Sequence, residues 1–255
     1  MTEIPVATSS EMPQNLRGKN VVIVGGSSGI GLAAAEQCAA RGAKVTISGR
    51  SAEKLEHAKT IIGGTVSAEA FDGADESRMT SFLAGIGPID YLIVTAGGGG
   101  ITGPLASLDL AEFRRAFERK FWVQVAAAKV GGPLVKPGGS ITFVTGIFGL
   151  KAVKGNSGVS AVNGALNAMI GPMAIEFAPV RVNAISPGLV DTPYWERLKP
   201  EAKSRLFAER ARNHLVGRVG EPSEVADFVL AVALNSFMSG AVIPLDGGFL
   251  LAERS

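Results

Sequence analysis

The chain has a single cysteine, Cys38, in 255 residues, so no internal disulfide can form. That excludes a disulfide-stapled scaffold and fits a reducing compartment. Histidine is nearly as scarce. His57 and His214 lie far apart in sequence and match no metal-ligand spacing, so no metal site is expected. Excess charge of one sign is also lacking: 25 Lys and Arg against 23 Asp and Glu leave a formal +2. Such a balance gives no nucleic-acid footprint. No uninterrupted apolar run reaches the ~18 residues of a membrane span. The opening MTEIPVATSSEMPQN has neither the basic start nor the apolar core of a signal peptide. The expectation is a cytoplasmic chain with neither nucleic-acid nor membrane partners, and with a flexible tail over residues 1–15. Tyrosine is also rare: Tyr91 and Tyr194 are the only two.

Hydrophobic residues are abundant, at 46%, with 19% charged, enough to bury a sizeable core. The 33 glycines fall between apolar runs without a repeat period, which excludes collagen-like and low-complexity chains. Short apolar runs alternate with longer helical patterns. NVVIV at Asn20–Val24, KVTIS at Lys44–Ser48, DYLIVT at Asp90–Thr95, SITFVT at Ser140–Thr145 and VRVNAI at Val180–Ile185 read as strands, as does Ala241–Leu245. Thr65–Phe71 is a weaker strand candidate. Helical patterns cover Gly29–Arg41, Ala52–Lys59, Asp75–Ala84, Val159–Phe177 and Pro222–Leu234. One or two more fall within Asp109–Val135, ended by Gly131-Gly132-Pro133 or by Lys136-Pro137-Gly138-Gly139. Alternation of this kind predicts a single-domain, doubly wound α/β fold over 16–255, a parallel sheet with helices on both faces. Pro172 sits inside one helical pattern and is expected to kink it near Ile170–Gly171 or to end it there.

The first strand runs into Gly25-Gly26-Ser27-Ser28-Gly29-Ile30-Gly31 and a helix follows. A glycine-rich turn between strand and helix presents backbone N–H groups and a helix N-terminus to a pyrophosphate. At the end of the second strand, where NAD-binding sites usually offer a carboxylate to a ribose 2′-OH, the chain has Arg50 and Ser51. A guanidinium and a hydroxyl suit a 2′-phosphate, which favours NADP(H) over NAD(H).

With these motifs the chain resembles the short-chain dehydrogenase/reductase family in its single-domain form. Val24–Gly31 is similar to the family's nucleotide loop. Phe71-Asp72-Gly73 is similar to its adenine-contact segment, and Val94-Thr95-Ala96-Gly97 to its Asn-Asn-Ala-Gly segment with both asparagines replaced. Arg181–Thr192 resembles the pattern before the substrate loop, and Asp246-Gly247-Gly248 the closing turn. The resemblance implies cofactor contacts at Asp72, Gly73, Ala96, Gly97 and Asn163, with Pro187, Gly188, Val190 and Thr192 on the nicotinamide side. It also implies a substrate lid over about 189–215 and a homodimer or homotetramer.

The resemblance also implies an Asn-Ser-Tyr-Lys tetrad, and there the chain departs from the pattern. The four positions fall on Lys120, Gly146, Val159 and Asn163. No tyrosine lies between Tyr91 and Tyr194, so a slip in alignment does not restore the relay. A desolvated lysine serves as acid, base or carbonyl-polarising cation, which makes Lys120 the catalytic candidate. Thr145 is a weaker one. Lys154, Asn156 and Ser157 on the Gly149–Gly158 loop, with Tyr194 and Trp195 beyond it, are candidates to touch a small-molecule substrate. Three functions remain open: a nonstandard NADP(H)-dependent oxidoreductase for a carbonyl, alcohol or imine-type substrate, a non-redox isomerase, lyase or cyclase, or an inactive NADP(H)-binding protein.

Overall fold

The computed structural model describes residues 15–98 and 100–252. Seven parallel strands form one sheet in the order β3-β2-β1-β4-β5-β6-β7. They are β1 (Asn20–Val24), β2 (Lys44–Gly49), β3 (Val66–Ala70), β4 (Ile89–Val94), β5 (Val135–Val144), β6 (Arg181–Pro187) and β7 (Val242–Leu245). The two halves of the sheet wind outward from the β1–β4 pair, so a crevice opens beyond the carboxyl ends of those strands.

Side-chain alternation along each strand divides the core in two. Val21 and Ile23 of β1, with Val45, Ile47 and Ile185, pack against α1 (Gly29–Ala40), α2 (Ala52–Ile62) and α8 (Pro222–Leu234). Val22 and Val24, with Leu92, Phe143 and Val182, pack against α3 (Glu76–Ala84), α5 (Val123–Gly131) and α6 (Ser157–Glu176). Because both faces are covered, the strands read as nearly continuous apolar runs. Cys38 belongs to the first of these cores, and burial pushes its thiol up to about 12, with Arg41 offsetting only part of the rise.

Of the two outcomes expected at Pro172, a kink or an early end, the early end does not occur, because α6 runs through it to Glu176. Proline deprives the Ala168 carbonyl of its helical donor. Both residues lie on the exposed face, where that carbonyl is open to solvent. Of the two helix stops expected within Asp109–Val135, the first holds, since α5 ends at Gly131, whereas Lys136–Gly139 lies within β5. The register there passes from Ile89↔Val135 to Tyr91↔Ser140, so the extra residues form a bulge. Helix α6 is long and apolar enough to cross a membrane by length and composition. Here it places Val162, Leu166, Ile170 and Met173 in the interior.

Asp90 ties the amino edge of β4 to its neighbours. Its carboxylate accepts from the Asn20 backbone N–H at 2.9 Å, the Lys136 ammonium at 3.0 Å and the Lys19 ammonium at 3.2 Å. Burial pushes its pKa up, but these donors and charges together outweigh burial and leave it below the usual carboxylate value. A depressed native pKa means that the stabilisation is present above the unfolded value of ~3.9 and is lost as pH falls through the lower native one. Asp90→Asn is expected to cost about 1–3 kcal/mol at neutral pH. Denaturant melts at pH 7 and pH 3 check this, because the variant's deficit shrinks at the acid end if Asp90 is its source.

A cofactor-shaped cleft with an exchanged lysine

One cleft of about 1110 Å³ runs along the carboxyl ends of β1, β2, β4, β5 and β6. Its first wall is the turn between β1 and α1. Gly25 has φ +100°, and a Cβ there would lie 2.5 Å from the Ala96 nitrogen. A Cβ on Gly31 would overlap the Gly25 carbonyl and lie 2.5 Å from Thr95 Oγ1. Thr95 replaces an asparagine of the family pattern and takes over a structural task. Its hydroxyl lies 3.1 Å from the Gly25 carbonyl and 3.3 Å from that of Val24, holding the turn against β4. Ser28 stands at the N-cap of α1 without bonding its backbone, and no acid occupies the first helical turn. The helix N-terminus therefore faces the cleft with its orphan N–H groups and partial positive charge available to an anion.

Gly25, Ser27, Ser28, Gly29, Ile30, Gly31, Arg50, Asp72, Gly73, Ala96 and Gly97 all line this cleft. So do Asn163, Pro187, Gly188, Val190 and Thr192. Ser51 does not. Its hydroxyl caps α2 by accepting the Lys54 backbone N–H at 3.3 Å. The Lys54 side chain lines the cleft beside Arg50, a cation that the sequence reading passed over. Asp72 uses one carboxylate oxygen to accept the Ala74 N–H at 3.1 Å, which shapes the turn after β3. Together these are a cradle that added Cβ atoms would fill, a free helix N-terminus and a pair of cations. That set fits a phosphorylated dinucleotide.

The other end of the cleft gathers Lys120, Gly146, Val159 and Asn163. Lys120 stands in a π-helical turn, Phe117–Trp122, between α4 (Leu110–Ala116) and α5. Its amine donates to the Thr145 carbonyl at 2.5 Å and to Asn163 Oδ1 at 2.9 Å. Asn163 is buried, and its amide nitrogen donates to the Val159 carbonyl at 3.0 Å. Lysine and asparagine have thus exchanged walls relative to the pattern the sequence resembles. The amine arrives from the α4–α5 side, and the amide from α6. Gly146 makes room for the exchange, since a Cβ there would lie 3.0 Å from the Asn163 amide nitrogen. Burial alone holds the Lys120 amine down to about 8.

Other candidates sort by contact. Thr145 donates its hydroxyl to the Ile185 carbonyl at 3.3 Å, so its proton is already committed. Asn156, Tyr194 and Trp195 line the cleft, whereas Lys154 and Ser157 are exposed and do not. Two buried polar residues, Gln124 and His214, escaped the sequence reading. Gln124 is buried one helical turn beyond Lys120, and its amide bridges the Ala96 and Val144 carbonyls at 2.9 and 3.2 Å. A lone glutamine within the apolar Val123–Ala128 run was its only signal. His214 donates from Nδ1 to the Arg210 carbonyl at 2.6 Å and stacks on Phe249. Its single sequence test was metal spacing, which cannot reveal a histidine packed by the fold.

Residues 24–250 match a family model described as enoyl-(acyl carrier protein) reductase. The chain is 31% identical to the short-chain dehydrogenase/reductase ATR9 of Stachybotrys chlorohalonatus, over 92% of this chain and 98% of that one. Among solved structures it is similar to a small-chain dehydrogenase in complex with NADPH. That match has 34% identity and a TM-score of 0.81, covering 91% of this chain and 99% of the other. It is also similar to a short-chain oxidoreductase from Pseudomonas aeruginosa PAO1 described as containing an atypical catalytic center. There the identity is 27% and the TM-score 0.85, over 94% and 100% of the two chains.

Proposed function

The chain belongs to the short-chain dehydrogenase/reductase family, and on that premise we propose that it is an NADP(H)-dependent oxidoreductase working without a tyrosine relay. The observation that carries this reading is the Lys120 amine, held at the cofactor cleft by Thr145 and Asn163. When bound, NADPH supplies the hydride. The Gly25–Gly31 turn and the α1 N-terminus hold its pyrophosphate, and Arg50 and Lys54 take the 2′-phosphate. Ala96, Gly97, Pro187, Gly188, Val190 and Thr192 wall the nicotinamide end.

Lys120 then does the work of the missing phenol. An ammonium has three N–H donors. Two are committed to Thr145 and Asn163, so the protonated amine keeps one for a substrate oxygen or nitrogen. With its pKa held down to about 8 by burial, the amine is mostly protonated at neutral pH and gives up that proton more readily than an ordinary lysine. It polarises the acceptor and protonates it as negative charge develops. Val159 offers only an apolar wall where a phenol would stand. A carbonyl or neutral imine-type acceptor, whose oxygen or nitrogen gains negative charge as hydride arrives, suits this arrangement best. The Pseudomonas relative with an atypical catalytic center supports the view that the scaffold accommodates a changed centre.

The test is a fluorescence titration with NADPH and NADH at fixed salt, followed by an absorbance screen of ketones, aldehydes and cyclic iminium ions. NADPH is expected to bind at least about tenfold more tightly than NADH, with the preference lost in Arg50→Ala/Lys54→Ala. Equal affinity for the two would refute the 2′-phosphate assignment. Absence of binding would refute the redox reading, and turnover without NADPH oxidation would replace it with a non-redox one.

A further inference from the structure

Beside the main cleft lies a second cavity of about 480 Å³, walled by Ile101, Thr102, Glu112, Arg119, Tyr194 and Arg197. Arg119, Tyr194 and Arg197 line both spaces, so the two communicate. The charges there are unequally satisfied. Glu112 accepts from Arg115 at 2.7 Å and from Arg119 at 3.3 Å, and Asp109 lies 3.8 Å from Arg115, so those four groups neutralise one another. Among the described residues, Arg197 has no carboxylate within ion-pair range. Its guanidinium instead lies 3.9 Å above the Tyr194 ring and 5.6 Å from the Trp195 ring.

Among the described residues the guanidinium makes no hydrogen bond or ion pair, so its N–H donors are free for the fork that grips a carboxylate with two parallel bonds. The platform beneath it is braced. Tyr194 packs edge-on against Trp195 at 4.9 Å, and Trp195 packs edge-on against Phe207 at 6.1 Å. The Trp195 indole also donates to the Val190 carbonyl at 3.0 Å. The fork is therefore positioned before any ligand arrives, which lowers the ordering cost of binding.

We propose that Arg197 is the receptor for a carboxylate on the substrate, so that this protein acts on anionic carbonyl or imine-type compounds in preference to neutral ones. The inference rests on the redox reading for the identity of the reacting group, but the receptor is measurable without it. With Glu112 and Arg119 paired to each other, Arg197 supplies the unpaired positive charge at this mouth.

The experiment is isothermal titration of the purified protein with benzoate and with benzamide, a neutral analogue of similar shape, with and without NADPH. The wild type is expected to prefer benzoate by about tenfold or more, with the preference weakening as salt is raised. Arg197→Ala is expected to reduce the preference to about twofold or less, and Arg197→Lys, which keeps the charge but loses the fork, to retain only part of it. Arg205→Ala, an exposed lid arginine outside both cavities, is expected to leave it unchanged. Equal binding of the two probes, undetectable benzoate binding, or a preference that survives Arg197→Ala would overturn the proposal. If NADPH itself does not bind, the redox reading fails while the benzoate result still decides the receptor.

Discussion

Lys120→Met is expected to lower the rate of NADPH oxidation, with an activated acceptor such as an α-keto ester, by about 100-fold or more while NADPH affinity changes only a few-fold. The size follows from the role. A positioned general acid contributes typically 10²–10⁴-fold, and with no tyrosine available nothing else on that wall replaces it. Affinity is spared because the phosphates are held at the far end of the cleft by Gly25–Gly31, Arg50 and Lys54. The pH profile carries a second signature. The ammonium is the working form for reduction, so activity is expected to fall as pH rises through about 8, where burial places the Lys120 amine. An ordinary lysine would place that fall more than two pH units higher. The exchange variant Lys120→Asn/Asn163→Lys separates charge from address. It returns the cation from α6, the wall where the family pattern has it, and is expected to recover at least about tenfold over Lys120→Asn alone. Asn163→Lys by itself is a poor restoration, because it sets a second amine beside one that already contacts position 163 at 2.9 Å. Full activity in Lys120→Met, or a profile flat through pH 8, would remove Lys120 from the mechanism.

Gly31→Ala is expected to weaken NADPH binding about 100-fold or more and to lower the melting temperature. The added methyl would overlap the Gly25 carbonyl and lie 2.5 Å from Thr95 Oγ1. Neither neighbour yields easily. The Gly25 carbonyl is backbone and is held by the Thr95 hydroxyl, and the Gly25 and Gly26 N–H groups both reach the Ser48 carbonyl, at 2.9 and 3.1 Å. Relief therefore requires the turn to leave β4 or the first turn of α1 to shift, and either movement misaligns the N–H groups that receive the pyrophosphate. Overpacking at such a site costs typically 1–3 kcal/mol of stability. Titration with NADPH and a thermal melt check both effects. If Gly31→Ala binds NADPH like the wild type, the cradle does not contribute as described.

Much of the architecture was legible because strand and helix patterns are local. NVVIV, KVTIS and DYLIVT are buried on both faces, so they read as strands without reference to the rest of the chain. The Gly25–Gly31 turn was legible for the same reason, since strand, glycine turn and helix are consecutive. Pro172 does not end its helix, because a proline's cost depends on whether its orphaned carbonyl can reach water. That is a property of the helix's exposed face rather than of the helix's own pattern.

By itself the sequence determined the parallel α/β fold, the glycine-rich turn between strand and helix, and the lack of any tyrosine between Tyr91 and Tyr194. Only the tertiary structure decided which distant residues meet. Lys120 and Asn163 are 43 positions apart and meet across the cleft, Gly146 clears space for their contact, and Arg197 is mounted on Tyr194. The Lys120 amine also depends on the fold for its lowered pKa, because desolvation comes from every element around it. The π-helical turn that carries Lys120 had no sequence signal. That turn packs against α6, so its extra residue answers to tertiary contact rather than to the local preferences of Phe117–Trp122.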